Sequence, residues 1–198
     1  MRLFSIVLTL SLVAGAVAAQ EAPPPPVKEY NAQAWKDFTS KEGRFSVLLP
    51  GTPRLEERSL EGGIAITAHA FVLETDLALY YISYADLPLP PGVTMTAEDR
   101  KEALANTREK IISGGGRIIT ESEISIAGNA GTEILAEKDG IILRARFAPI
   151  EGRLYQLIIG ARRNTVFSNG KISAKAADRT DLYEQTTAKF FESFKLTK

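Results

Sequence analysis

"GTEILAEKDGIILRARFAP", residues 131–149, decides how the rest of the chain is read. Two runs rich in apolar residues flank Asp139-Gly140, a dipeptide that tolerates the positive φ angles of a tight two-residue hairpin turn. With the turn there, Ile134 faces Ala145 and Ala136 faces Leu143, apolar against apolar. On the reverse side Glu133 meets Arg146 and Leu135 meets Arg144. One register satisfies both sides, so an antiparallel hairpin is predicted.

Reading outward, a turn at Glu151-Gly152 leads to the strand "RLYQLIIGA", which places Leu157 and Ile159 on the arginine side. Upstream, "GRIITESEISI" is another strand. Its Glu121 and Glu123 share a side and repel one another, which predicts an exposed face, with a cation site as the alternative. Before it, "TAEDRKEALANTREKIIS" changes period, with Ala97, Leu104 and Ile111 spaced as on one helix face. Thr96 is its expected cap, and Glu98 and Asp99 suit the first turn. The glycines Gly114, Gly115 and Gly116 close this helix and open a strand. A phosphate cradle needs the opposite order, strand then helix N-terminus, so these glycines are read as a C-cap and turn.

The N-terminal half reads the same way. "GRFSVLLPGTP" is a strand stopped by Pro50-Gly51, and "RLEERSL", "GIAITAHAFVLE" and "LALYYISYADLP" supply three more. Glu61-Gly62-Gly63 and Thr75-Asp76 separate them. A final helix from about Ala174 to Phe194 carries Tyr183, Thr187, Phe190 and Phe194 on one buried stripe. The predicted order is four strands, a helix, four strands and a helix, with short turns that make the sheet mainly antiparallel. Strands that are apolar on both sides, such as Leu77–Ile82, call for a sheet covered twice, an α+β arrangement.

Composition sets the setting. "MRLFSIVLTLSLVAGAVAAQ" combines Arg2, a short apolar run and small residues, the pattern of a secretory signal, so residues 1–19 are expected to be removed on export to a periplasmic or extracellular location. The apolar run is short for a membrane span, and no integral membrane segment is expected in the mature chain. Pro23–Pro26 favour an extended polyproline segment, and residues 20–34 are read as a linker to a single domain at 35–198. The chain has no cysteine, so its stability must come from a packed core. Basic and acidic residues balance at 24 each, which gives no general attraction to nucleic acid.

Catalytic chemistry finds few residues. His69 is the one histidine of the chain, and it reads as a packed or half-exposed strand residue beside Thr67 and Phe71. No G-x-S-x-G elbow accompanies it. Ser168–Lys171 matches S-x-x-K formally, without the further motifs of the serine–lysine enzymes. One histidine and no cysteine make a zinc site improbable, no calcium-loop pattern is present, and no cofactor is expected. The arginine side of the hairpin draws most interest. Arg144, Arg146, Tyr155, Arg162 and Arg163 form a candidate partner surface, charged and aromatic as binding hot spots are. The competing reading is a cross-strand ion pair with its stems packed on apolar neighbours.

"GRFSVLLPGTP", "YYISYADLP", "GRLYQLIIG" and the terminal "FFESFKL" together resemble the PsbP-like family, which includes the extrinsic subunit of photosystem II and many secreted bacterial proteins. The resemblance implies an α/β/α sandwich, a central antiparallel sheet with a helix on each side, and a non-enzymatic protein that works by docking on others. It transfers no residue role. The expected function is a secreted binding or scaffold module with a protein partner. A small-molecule or lipid carrier with a cavity between sheet and helix is the alternative, and a hydrolase the least favoured one.

Overall fold

The computed structural model describes residues 29–60, 66–89, 93–162 and 174–198. Pairing starts with β1 (Lys36–Ser40), β2 (Phe45–Leu49), β3 (Arg54–Leu60), β4 (Ile66–Glu74) and β5 (Leu79–Asp86). Helix α1 (Ala97–Ile112) follows, then β6 (Arg117–Ile126), β7 (Asn129–Lys138), β8 (Ile141–Ile150) and β9 (Arg153–Arg162). The chain ends with α2 (Ala174–Glu192) and β10 (Lys195–Leu196). The main sheet has seven strands in the order β3-β4-β5-β9-β8-β7-β6, and a second sheet has the order β1-β2-β10. Every pairing is antiparallel.

The α/β/α sandwich about one central sheet is overturned by this topology. The chain is mostly antiparallel sheet, in two sheets and ten strands, with two helices among the described residues. The physical reason lies at both ends of the domain. Phe45–Leu49, expected in the central sheet, pairs instead with Lys36–Ser40 and with the last strand. Both of those partners are short, and the sequence reading passed over them. The outer layer on this side is therefore a small sheet shared with a helix.

The hairpin register holds as read. Ile134 faces Ala145, Ala136 faces Leu143, Glu133 faces Arg146 and Leu135 faces Arg144. Asp139 and Gly140 adopt φ of 51° and 73°, the conformation the turn requires. The next register, Arg144 to Ile159 and Arg146 to Leu157, carries the same face on to β9.

That face packs against the second sheet and α2. Phe45, Val47 and Leu49 of β2 meet Tyr80 and Ile82 of β5, Leu157 and Ile159 of β9, and Tyr183, Phe190 and Phe194 of the C-terminal segment. Full burial of each large side chain here contributes about 1.5–3 kcal/mol. The opposite face takes α1, whose Ile111 and Leu104 cover Ile134, Ala136, Ala145 and Phe147. Helix α1 starts with a capping box: Asp99 N–H donates to Thr96 Oγ1 at 3.1 Å, and Thr96 N–H donates to Asp99 Oδ2 at 2.9 Å. It ends as expected at Gly114, with φ of 78°.

Tyr30, inside the segment read as a linker, is held by the domain. Its N–H donates to Asp76 Oδ1 at 2.6 Å, and its hydroxyl accepts from Trp35 Nε1 at 3.2 Å and Thr186 Oγ1 at 3.1 Å. The polyproline stretch, the turn at Glu61-Gly62-Gly63, Ser168–Lys171 and Arg163 lie outside the described residues.

Gly131 sets the closeness of β7 and β8. A Cβ there would lie 2.7 Å from the Phe147 carbonyl oxygen and 3.1 Å from Ala148 Cβ, so the strands must part to admit it. Gly131→Ala is expected to cost about 2 kcal/mol in denaturant titration, whereas Gly160→Ala, whose Cβ would be 3.4 Å from its nearest neighbour, changes little. Equal effects would show that β7 and β8 do not approach so closely.

Candidate interaction surface

Alternation along β8 and β9 puts Arg144, Arg146 and Tyr155 on the face that α2 and the second sheet cover. Arg144 Nη2 lies 3.3 Å from Glu184 Oε2 of α2, while its Nε is buried without a hydrogen-bond partner among the described residues. Arg146 Nε donates to Glu133 Oε2 at 2.6 Å, and its guanidinium sits 4.5 Å from the centre of the Phe191 ring. The two arginines thus hold the sheet to the last helix, one through a carboxylate and one through an aromatic face.

Tyr155 is 1% exposed, and its hydroxyl donates to the Gly43 carbonyl at 2.9 Å. It has no surface to offer a partner, because the β1–β2 turn lies over it. Arg162 is exposed at the end of β9, opposite Ile141. Of the five sequence-read positions, the structure brings Arg144 and Arg146 together beneath α2, buries Tyr155 under a turn, and leaves Arg162 apart in solvent.

Sequence reasoning missed Arg153. Its Nε and Nη2 donate to the two oxygens of Asp86 at 2.7 and 2.9 Å, and Nη1 donates to the Glu42 carbonyl at 2.6 Å. Its guanidinium also lies 4.5 Å from the centre of the Tyr84 ring. These hydrogen bonds from Arg153 hold the Asp86 carboxyl below the usual range, and burial pushes the Tyr84 hydroxyl up. The one available signal was its place in "EGRLYQ", two residues before Tyr155 and so on the same side of the strand.

His69 extends this arrangement. Its ring stacks on Tyr84 at 4.8 Å between centres, and Nδ1 lies 3.2 Å from Glu57 Oε1 on β3. Its side chain is 30% exposed, so the half-exposed strand histidine read from the sequence is what the structure holds. Among the described residues no group of three metal-ligating side chains converges. Between this face and α2 the space is filled by Tyr80, Tyr183 and Phe190, each less than 2% exposed. Burial pushes the Tyr183 hydroxyl up to about 12.

What stays outside is one long sheet edge. Among the described residues strand β6 pairs with β7 alone, and residues from Ile119 to Glu123 are all exposed. Glu121 and Glu123 lie on one side of it, as expected, with Glu121 Oε2 accepting from Arg108 Nε at 2.8 Å. The opposite edge, β3, is closed off differently: Arg54 and Arg58 each donate to one oxygen of Glu56, at 2.9 and 2.6 Å.

No family model matches the chain, and no curated protein sequence matches it. It is similar in structure to the cyanobacterial PsbP (CyanoP) of Synechocystis sp. PCC 6803, with a TM-score of 0.48 and 14% identity over 88% of this chain and 99% of that one. It is also similar to a Pseudomonas aeruginosa protein of unknown function described as a putative regulator, with a TM-score of 0.37 and 13% identity over 77% of this chain and 93% of that one. Among the described residues no helix is long and apolar enough to cross a membrane.

Glu133 and Arg146, both half-buried, form the ion pair most open to direct measurement. Each single alanine variant is expected to lose about 0.5–1 kcal/mol, and the double variant less than the sum of the two. Strictly additive losses in denaturant titration would mean that the two groups do not interact.

Proposed function

We propose that this chain is an exported, non-catalytic module that docks on another protein of the cell envelope. The leader supports the export, since its charge, apolar run and small residues match a cleaved signal. One observation carries the docking reading. Arg144, Arg146, Arg153 and His69 are held by internal partners, while β6, ten residues long, pairs on one side only among the described residues. Arg144 is held by Glu184, Arg146 by Glu133 and Phe191, Arg153 by Asp86 and Glu42, and His69 by Tyr84 and Glu57. Open edges of that length are surfaces on which other chains add.

Amine cross-linking in intact cells tests the reading without assuming where the partner sits, because exposed lysines are spread over the molecule. Lys36 is on β1, Lys101 on α1, Lys189 on α2 and Lys195 on β10. The expected result is one discrete adduct with a single envelope protein, in an amount comparable to the free chain. Recovery of the chain only as itself, under conditions that cross-link a known envelope complex, would contradict the proposal.

A further inference from the structure

We infer that β6 is a strand-addition site for an extended, basic, amphipathic segment of a partner protein. The inference rests on the docking reading above and names its surface and the chemistry that fits it.

The backbone argument comes first. Strand β6 is the last of seven strands and is ten residues long. A bulge falls between Ile118 and Thr120, leaving Ile119 40% exposed, and beyond it Thr120 to Ile126 run in unbroken register with β7. Over these seven residues every second one turns its N–H and C=O away from β7, a regular row of outward backbone donors and acceptors. Proteins usually blunt such an edge with lysine, proline, a bulge or a very short strand, and the bulge here lies before Thr120. This segment has no lysine and no proline, whereas β3, at the other edge, carries the Arg54–Glu56–Arg58 triad.

The side chains then choose the occupant. Glu121 and Glu123 project on one side of β6. On the same side Glu109 of α1 adds a third carboxylate, which shares the Arg108 guanidinium with Glu121. Glu123 is exposed and makes no ion pair among the described residues. A second copy of β6 laid alongside would bring carboxylates against carboxylates, which disfavours self-pairing. A strand with Lys or Arg at alternate positions is favoured for the same reason.

The other side of the strand adds the apolar requirement. Ile124 is half-buried and packs against the main core, in a row with Gly131. An incoming strand continues that core if its remaining alternate positions are β-branched or apolar. The matching partner segment thus alternates basic and apolar residues over about six or seven positions, the ordinary length of a strand. Main-chain bonds would supply affinity, and the alternate side chains would supply specificity.

The test uses a fluorescent nine-residue peptide of alternating Lys and Val, read by anisotropy against the full mature chain. Binding is expected, with at least a tenfold loss for Glu123→Lys and a gain by that variant for the matching Glu–Val peptide. Glu123 is exposed and leaves the Glu121–Arg108 pair intact, and circular dichroism checks that the variant folds. A Lys–Val peptide carrying N-methyl groups on the amides that face β6 is expected not to bind. Binding that survives N-methylation would overturn strand addition, and no binding of the unmodified peptide would overturn the site. Persistence of the cellular adduct in the Glu123→Lys chain would also remove β6 from docking while leaving the docking reading itself in place.

Discussion

Closure of the second sheet over the main one depends on two side chains of β9 that reach consecutive carbonyls of a single turn. Arg153 Nη1 donates to Glu42, and the Tyr155 hydroxyl donates to Gly43. Gly43 is buried where the turn meets the sheet, so its carbonyl must find a protein donor there. The strand alternation puts both donors on one side, and Asp86 balances the arginine charge. The same turn fixes β2, and β2 carries Phe45, Val47 and Leu49 into the core. The end of the chain follows it: Ser193 Oγ accepts from Leu48 N–H at 2.9 Å, and Thr197 N–H donates to the Arg44 carbonyl at 2.9 Å. The last helix is thus seated by contacts that begin at the β1–β2 turn.

This closure divides the molecule into a committed face and an available edge. Aromatic rings fill the committed side, with Phe45 within 6.5 Å of Tyr84, Tyr155, Phe71 and Phe194. Arginines there act as joinery, since each guanidinium meets a carboxylate, a carbonyl or a ring. Function is then sought where pairing stops. The β6 edge is farthest in strand order from β3 and lies outside the aromatic cluster, apart from Ile124 and Ile126 at its end. Its carboxylates meet solvent on the side that bears α1, and they give the edge a sign of charge.

Much of the fold was legible because local rules and burial agreed. Asp139-Gly140 fixed the central hairpin and every pair in it, Thr96 capped α1, and the stripe of Tyr183, Thr187, Phe190 and Phe194 is buried as its spacing implied. The second sheet was not legible. "KDFTS" has one large apolar residue, Phe38, and β10 is two residues long, so neither shows a period. Without them, "FSVLL" looked like a strand of the central sheet. The surroundings of Arg144, Arg146 and Tyr155 were hidden for a related reason. Alternation placed Arg144, Arg146 and Tyr155 on one side correctly, but alternation does not say what lies above that side. The turn over Tyr155 is 112 residues away in sequence, and Arg153 was passed over because its partners, Asp86 and Glu42, are 67 and 111 residues away.

Residue-level hydrogen exchange of the Arg153→Ala chain tests the claim that the β9-to-turn contacts seat the second sheet and the last helix. The account expects the amides of Val47 and Leu49, together with those of the last turns of α2, to lose protection as one group. Amides in β7 and β8 should keep theirs, because their pairing does not depend on the turn. Unchanged protection in β2, or an equal loss across both sheets, would contradict it.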